Sequence, residues 1–507
     1  MEDILGAAEV LLQWQNLLIG VAGFLVGCIG GAIPGLGGVL TLTLMMPFVS
    51  GLSIEVAMIA LIGAYVGVQY ASSVPAILMN TPGSAGSAAA TFDGYPMAQR
   101  GEGVTAITIS AVASGFGSWF GAIFLILLSP VLIEFVLLFG SPEYFLLAVL
   151  GLATIVMASG KKPLKGLIAA VLGCFIASIG TSQLSAQPRY TLDIAQLYDG
   201  ISLVAAFIGV FAIGEMMRLA GRQGTSIATA MSPEGSRMEG FRLTFKDWPV
   251  LIKSSAIGVF VGVIPGQGAT VANFLAWVEA KRSSKDPDSF GKGNPAGIVA
   301  VDSSNNATIG GALVPTIAFG IPGGGIAAVL LVALILAGVN PGPNMFAEDI
   351  GLTYTMIGAV LVGGFMSFTV GVVLAKQFSY VTIVPMKILI PSIITLSYLG
   401  AYVIGFSFSY VIQTIVFGVL GYFLIRYNFP IIALILGIIL GPLAELNLHR
   451  SVQISQGNFP WFFFDRPVAV VLIAMIVFVL VWPPFGPHVK RKVREVRRGK
   501  DYASVDR

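Results

Sequence analysis

The sequence predicts an all-α polytopic membrane protein of about twelve transmembrane segments, each needing roughly 20 apolar residues, set out as two inverted repeats with Pro-Gly-broken helices. Three observations predict it: the composition, a duplicated set of Pro-Gly signatures, and loop charges of opposite sense in the two halves. Of 507 residues, 56% are hydrophobic and 10% charged, against roughly 25% charged residues in a soluble domain. Nearly all of the chain is therefore expected in the lipid bilayer.

The duplication is read from two motifs. Ile33-Pro34-Gly35-Leu36-Gly37 is answered by Ile264-Pro265-Gly266-Gln267-Gly268, and Pro75 through Pro82-Gly83 by Pro315 through Pro322-Gly323. Pro265 follows Pro34 by 231 residues and Pro322 follows Pro82 by 240, so the second copy carries an extra polar stretch, Glu279 through Lys292. Four of the five Pro-Gly dipeptides belong to this pattern.

The elements follow in order. A span at about Leu17 to Ile33 ends at Pro34-Gly35, and the run from there to Val49 is too short to cross alone, so the two read as a broken pair. Val56 to Met79 leads into the small-residue loop Asn80-Thr81-Pro82-Gly83-Ser84-Ala85-Gly86-Ser87, and Asp93-Gly94-Tyr95-Pro96 with Arg100 reads as a surface turn. Spans at Val104 to Leu128, Val131 to Met157 with a break at Gly140-Ser141-Pro142, Leu164 to Ile179 and Ile201 to Met217 complete the first repeat, residues 1–219. Residues 220–247 are a polar linker. The second repeat, 248–445, holds the unusually polar span Pro295 to Phe319 and further spans near Leu352 to Leu374, Ile383 to Leu399, Val403 to Leu424 and Ile431 to Leu440. The stretches 164–173 and 431–437, each after a proline, look like another matched pair. Residues 446–489 contribute a loop and a last helix, and the basic tail 490–507 is expected in the cytoplasm. Glu2, Asp3 and Glu9 without a Lys or Arg in the first sixteen residues are unlike a signal peptide, so the first span is expected to stay.

Loop charge sets the predicted sense of the repeats. Gly51 to Glu55 has no basic residue while its partner around Lys281 has several; the loop at Arg100 is basic while its partner, Asn340 to Asp349, is not. Matched loops then face opposite sides, giving the inverted arrangement of many secondary transporters.

Broken helices expose backbone groups that an intact helix uses internally. Helix N-termini favour anions, and unwound carbonyls favour cations. The candidate substrate site is therefore Pro34, Gly35, Pro265, Gly266 and Gln267 at the first pair of breaks and Pro82, Gly83, Pro322 and Gly323 at the second. Asn80, Thr81, Ser84, Asn305 and Asn306 supply neutral donors and acceptors that hold carboxylates without arginine. Tolerated kinks and helix packing are the competing explanations. Gly83 and Gly323 are expected where the backbone needs positive φ or a close approach. Asp302 and Asp93 are the acids nearest the breaks and candidates for coupling Na+ or H+; an interface or loop role is the alternative for each. His449 and His488 lie outside the repeats, and no nucleophile elbow, zinc spacing or P-loop is present, so neither an enzyme nor an ATP-driven pump is expected. Cys28 and Cys174 sit in apolar segments and indicate no disulfide or metal site. No cofactor and no nucleic-acid partner are expected.

The frame Ile33 to Gly37, Asn80 to Ser87 with Phe92 to Pro96, Asn305-Asn306 through Pro315, and Phe319 to Gly323 resembles the large membrane subunit of the tripartite tricarboxylate transporters. The resemblance covers almost the whole chain. It implies a bacterial inner-membrane, ion-gradient-driven importer of carboxylates such as citrate, working with a small membrane subunit and a periplasmic solute-binding protein. Where that family often has Pro-Glu, this chain has Val301-Asp302, which keeps the acid. The alternative is a binding-protein-independent carrier or channel for another small solute.

Overall fold

In lipid every backbone N–H and C=O needs a partner inside its own segment, which favours helices over open strands. The computed structural model describes residues 2–136, 138–158, 162–182, 184–221, 234–266, 268–342, 345, 349–377 and 385–480. Gln267, Lys161, residues 222–233 of the linker, part of the 340–349 loop and the basic tail lie outside the described residues. Helices α1 to α7 are Glu2–Leu12, Trp14–Ala32, Gly37–Val49, Ile54–Ala71, Ser73–Met79, Thr91–Gln99 and Gly103–Val136. Ser141–Ala158, Pro163–Ala177, Leu203–Ala220 and Arg237–Lys246 are α8 to α11. Trp248–Gly262, Gly268–Ser283, Pro295–Phe319, Gly325–Leu336 and Ile350–Gly371 are α12 to α16. Met386–Gly405, Phe408–Arg426, Ile431–Ile454 and Pro467–Leu480 are α17 to α20. One short antiparallel pair, Gly180–Thr181 with Pro188–Arg189, is the only sheet among the described residues.

Eight of these helices are long and apolar enough to cross a membrane, fewer than the twelve segments expected. Six more apolar helices have 10–17 residues in the stretches searched, which are limited to the described residues, and α14 is long but carries a polar stretch. Two further expectations change. The turn at Asp93 is the helix α6, with Asp93 only 1% exposed, and residues 237–246 of the linker form α11, capped by the Ser236 hydroxyl accepting from Glu239 N–H.

The chain divides into two compact units, which do not follow the repeat boundaries. The larger holds residues 1–137, 179–181 and 188–431. Its centre is α14, buried at every residue from Ala296 to Ala318. Small residues let helices touch there, as membrane packing favours. A side chain at Gly117 or Gly121 of α7 would strike the carbonyl of Ser303 or Ala307 on α14. The break-flanking helices pack by one scheme in both halves. Gly27 and Gly31 of α2 lie on the Ala64 and Val68 carbonyls of α4; Gly258 and Gly262 of α12 lie on the Ser304 and Thr308 carbonyls of α14. By contrast α17 is 28% buried where the span Ile54–Met79 is 83% buried, so α17 lies at the surface of this unit.

The smaller unit holds residues 138–178, 182–187 and 432–507. The two stretches paired by sequence meet here face to face: Gly173 of α9 stands 2.9 Å from where a side chain on Gly437 of α19 would begin. Arg466 Nε donates to Glu143 Oε1 at 2.6 Å, and Gly140 N–H caps the other oxygen at 2.9 Å.

Candidate functional site

Each half breaks twice, and matched breaks share their backbone geometry. In the first break Gly35 and Gly37 take φ of 92° and 63°, and Gly266 and Gly268 take 78° and 61°. These are left-handed values at which a Cβ is strained. Pro34, Gly35, Pro265 and Gly266 are half-buried. In the second break α5 ends on Asn80 (φ 53°) and α14 on Gly320 (φ 66°), left-handed C-caps whose N–H groups bond the carbonyls of Pro75 and Pro315. The next N–H groups, of Thr81 and Ile321, reach the same two carbonyls at 3.3 and 3.1 Å.

Gly83 and Gly323 are required for closeness, and neither has a positive φ. A Cβ on Gly83 would meet the Gly31 carbonyl and Ser72 Cα, and one on Gly323 would meet Ala312 Cα at 2.6 Å. Gly83 N–H donates to Ser72 O at 3.0 Å; Gly323 O accepts from Gly266 N–H at 3.1 Å, so each loop is tied back to its own half. The halves also interlock. Gly38 of α3 abuts Ile326 at the start of α15, and Gly86 of the first loop stands over Ala269 and Asn273 of α13. All four breaks are thereby gathered in one region, with Pro82 half-buried, Pro322 buried, and Asn80 and Thr81 exposed.

The polar residues divide in use. Ser84 and Ser87 bond each other reciprocally and brace the first loop. Asn305 is fully buried; its Nδ2 donates to Gln69 O at 2.9 Å and its Oδ1 accepts from Asn273 Nδ2, which also donates to Gly86 O at 2.7 Å. Asn306, equally buried, donates to Ser118 Oγ at 3.1 Å. These two asparagines join α14 to α4, α13 and α7 behind the loops, while Asn80 and Thr81 line the open side. Sequence reasoning passed over Gln69 and Asn273. The available signal was an amide side chain in each apolar helix, since burying one unpaired costs about 1–3 kcal/mol.

Asp93 is committed to holding chain. Its Oδ1 accepts from the N–H groups of Gly291, Gly293 and Asn294 at 2.8, 3.0 and 2.8 Å, and Oδ2 from Trp277 Nε1 at 2.8 Å. Arg100 adds bonds to Lys292 O and Gly293 O, so the extra polar stretch of the second half is clamped by the first. Asp302 is different. It is fully buried, Oδ1 accepts from Ser73 Oγ at 2.5 Å, and Oδ2 has no hydrogen-bond partner.

Residues 17–436 match the family described as Tripartite tricarboxylate transporter TctA family. The chain is 31% identical over 478 residues, covering 92% of this chain and 93% of its relative, to an "Uncharacterized 52.8 kDa protein in TAR-I ttuC' 3'region" of Agrobacterium vitis. It is 32% identical over 218 residues, 43% of this chain and 90% of the relative, to an "Uncharacterized protein in TAR-II ttuC' 3'region" of the same organism. No solved structure matches the chain. A multi-pass, helical membrane chain with this motif set and a match over most of its length is a member of the tripartite tricarboxylate transporter TctA family.

Proposed function

We propose that the chain is the large transmembrane subunit of a secondary active, ion-gradient-driven importer of tricarboxylates or related carboxylates, citrate among them, in a bacterial inner membrane. It works there with a small membrane subunit and receives substrate from a periplasmic binding protein. The observation that carries this reading is the gathering of the two Pro-Gly loops. Each loop follows a left-handed cap, and the open side presents the neutral donors of Asn80 and Thr81, chemistry suited to a carboxylate held by hydrogen bonds and helix-end dipoles. In proteoliposomes holding both membrane subunits and supplied with the binding protein, collapse of the sodium and proton gradients is expected to stop citrate accumulation, with ATP irrelevant. Accumulation that survives the collapse, or that runs fully without the binding protein, overturns the proposal.

The halves are proposed to be inverted repeats. Support comes from the opposed loop charges and from packing pairs that recur at the sequence offsets of the repeat: Gly27 on Ala64 with Gly258 on Ser304, and Gly83 on Ser72 with Gly323 on Ala312. Ser53 and Lys285 are exposed at matched helix tips. In a cysteine-free background, Ser53→Cys is expected to react with an impermeant maleimide from the periplasm and Lys285→Cys only after the membrane is opened. Labelling of both from one side rules the inversion out.

A further inference from the structure

Resting on the reading of this chain as a gradient-driven transporter, we propose that the coupling ion is a proton and that it is carried on Asp302, with Ser73 and Ser110 as its fixed hydrogen-bond partners. Asp302 lies about two turns into α14 with none of its surface exposed. Ser73 Oγ donates to Oδ1, and the Ser110 hydroxyl of α7 faces the same carboxyl. Oδ2 and Ser110 Oγ are both buried without a completed hydrogen bond. An ionised Asp302 would be a full charge at zero exposure with two hydroxyls and no cationic partner among the described residues, a costly arrangement. A neutral acid needs one more acceptor, and Ser110 Oγ supplies it: a hydrogen on Oδ2 donated to Ser110 satisfies both lone atoms at once.

A sodium ion is the competing occupant, because Ser114, Ser303 and Ser304 also leave buried hydroxyl oxygens without a partner on α7 and α14, but backbone carbonyls do not add to them. Oxygen-ligated cations gather several oxygens at once, six to eight for calcium. α14 and α7 run unbroken past Asp302 and Ser110, so their carbonyls are held within helices, and the Ser72 carbonyl is taken by Gly83 N–H. The other groups facing α14 are consistent with a neutral acid. Tyr70 of α4 lies near Asp302, with Cys28 behind it; α7 turns Ser114 and Ser118 inward, and α13 turns Asn273. Asp93 of α6 packs at Gly297 but is committed to four donors. No Lys, Arg or His forms an ion pair with Asp302 among the described residues.

The placement joins the proton to the substrate loop. Ser73 is the first residue of α5, whose other end is the left-handed cap at Asn80, about 10 Å away at 1.5 Å per residue. Loading forms an O–H bond on Oδ2 with a proton from water on one side; release returns it to water on the other and leaves a carboxylate. That carboxylate pulls harder on the Ser73 hydroxyl from which it already accepts, and so on the end of α5.

Infrared difference spectroscopy on the purified full chain tests the protonation without substrate. The wild type is expected to show a protonated-carboxyl C=O band at neutral pH that Asp302→Asn lacks, that Ser110→Ala moves to higher frequency, and that exchange of potassium for sodium leaves in place. If Asp302→Asn does not fold, the Ser110→Ala shift decides alone. Absence of an Asp302-dependent or Ser110-dependent acid band, or its removal by sodium, overturns the inference. In the reconstituted three-part system, Asp302→Asn is expected to keep exchange of labelled citrate but to lose accumulation driven by a pH gradient. Wild-type-like accumulation by that variant also overturns it, whereas a wild type that moves no citrate at all defeats the carboxylate reading and leaves the infrared result standing.

Discussion

Asp93→Ala is expected to remove most of the folded protein from a detergent extract. The change leaves four N–H groups, three from Gly291, Gly293 and Asn294 and one from Trp277, without their acceptor. A hydrogen bond to a charged group is worth about 1.5–3 kcal/mol, so losing even half of the four costs about 3–6 kcal/mol. Asp93→Asn keeps an oxygen for the three backbone donors but turns an NH2 towards Trp277 Nε1–H, so its loss is intermediate. Adding Trp277→Phe removes that clash of donors and is expected to raise the melting temperature of the Asn variant, whereas alone it lowers that of the wild type. Thermal melting of the four variants and the wild type by size-exclusion recovery is the measurement. An Asp93→Ala chain that melts with the wild type would show that the clamp is idle.

Alanine at Gly83 or at Gly323 is expected to suppress uptake far more than it suppresses folding. The added Cβ meets backbone, Gly31 O and Ser72 Cα in one loop and Ala312 Cα in the other, and no rotamer change relieves that. Overpacking of this kind costs about 1–3 kcal/mol, and the loop gives way by lifting from its helix, which carries Asn80 and Thr81 out of register in the first half. Gly351, with nothing within 4 Å of its would-be Cβ, is the control. Gly342, the unpaired fifth Pro-Gly, does not serve because its φ is 122°. Initial citrate uptake per folded transporter should fall steeply for both loop variants and hold for Gly351→Ala. Specific uptake that matches the wild type in the loop variants places the substrate elsewhere.

The breaks were legible because proline and glycine act locally. Pro75 and Pro315 withdraw an N–H from the helix ladder, and Gly35, Gly37, Gly266 and Gly268 take conformations that other residues resist, so sequence position and structural position coincide. What could not be read is what faces what. Asp93 beside Gly94 and Pro96 has the composition of a surface turn, and only the approach of residues 291–294 makes it a buried clamp. Asn305 and Asn306 are site candidates because they stand near a break in sequence, and what faces them was equally hidden. Their partners, Gln69, Asn273 and Ser118, lie on three other helices, and no local pattern announces those pairings. The span count suffered from a related blindness: hydropathy measures a run of residues, and a half-crossing helix such as α3 or α15 scores much like part of a full one.

The clamp also orders events during synthesis. Asp93 and the amides that it holds are separated by 198 to 201 residues, and Ser73 and Asp302 by 229. At about 5–20 residues per second the ribosome needs roughly 10–40 s to bridge such a gap. During that interval the first half is in the membrane with its carboxylate unclaimed, its loop unbraced by Asn273 and the groove for α14 empty. The two halves carry matched breaks, yet the first cannot be completed until the second is made. A chain cut in the linker and expressed as separate fragments would have to find by diffusion, in the plane of the bilayer, the contacts that a single translation product delivers in sequence.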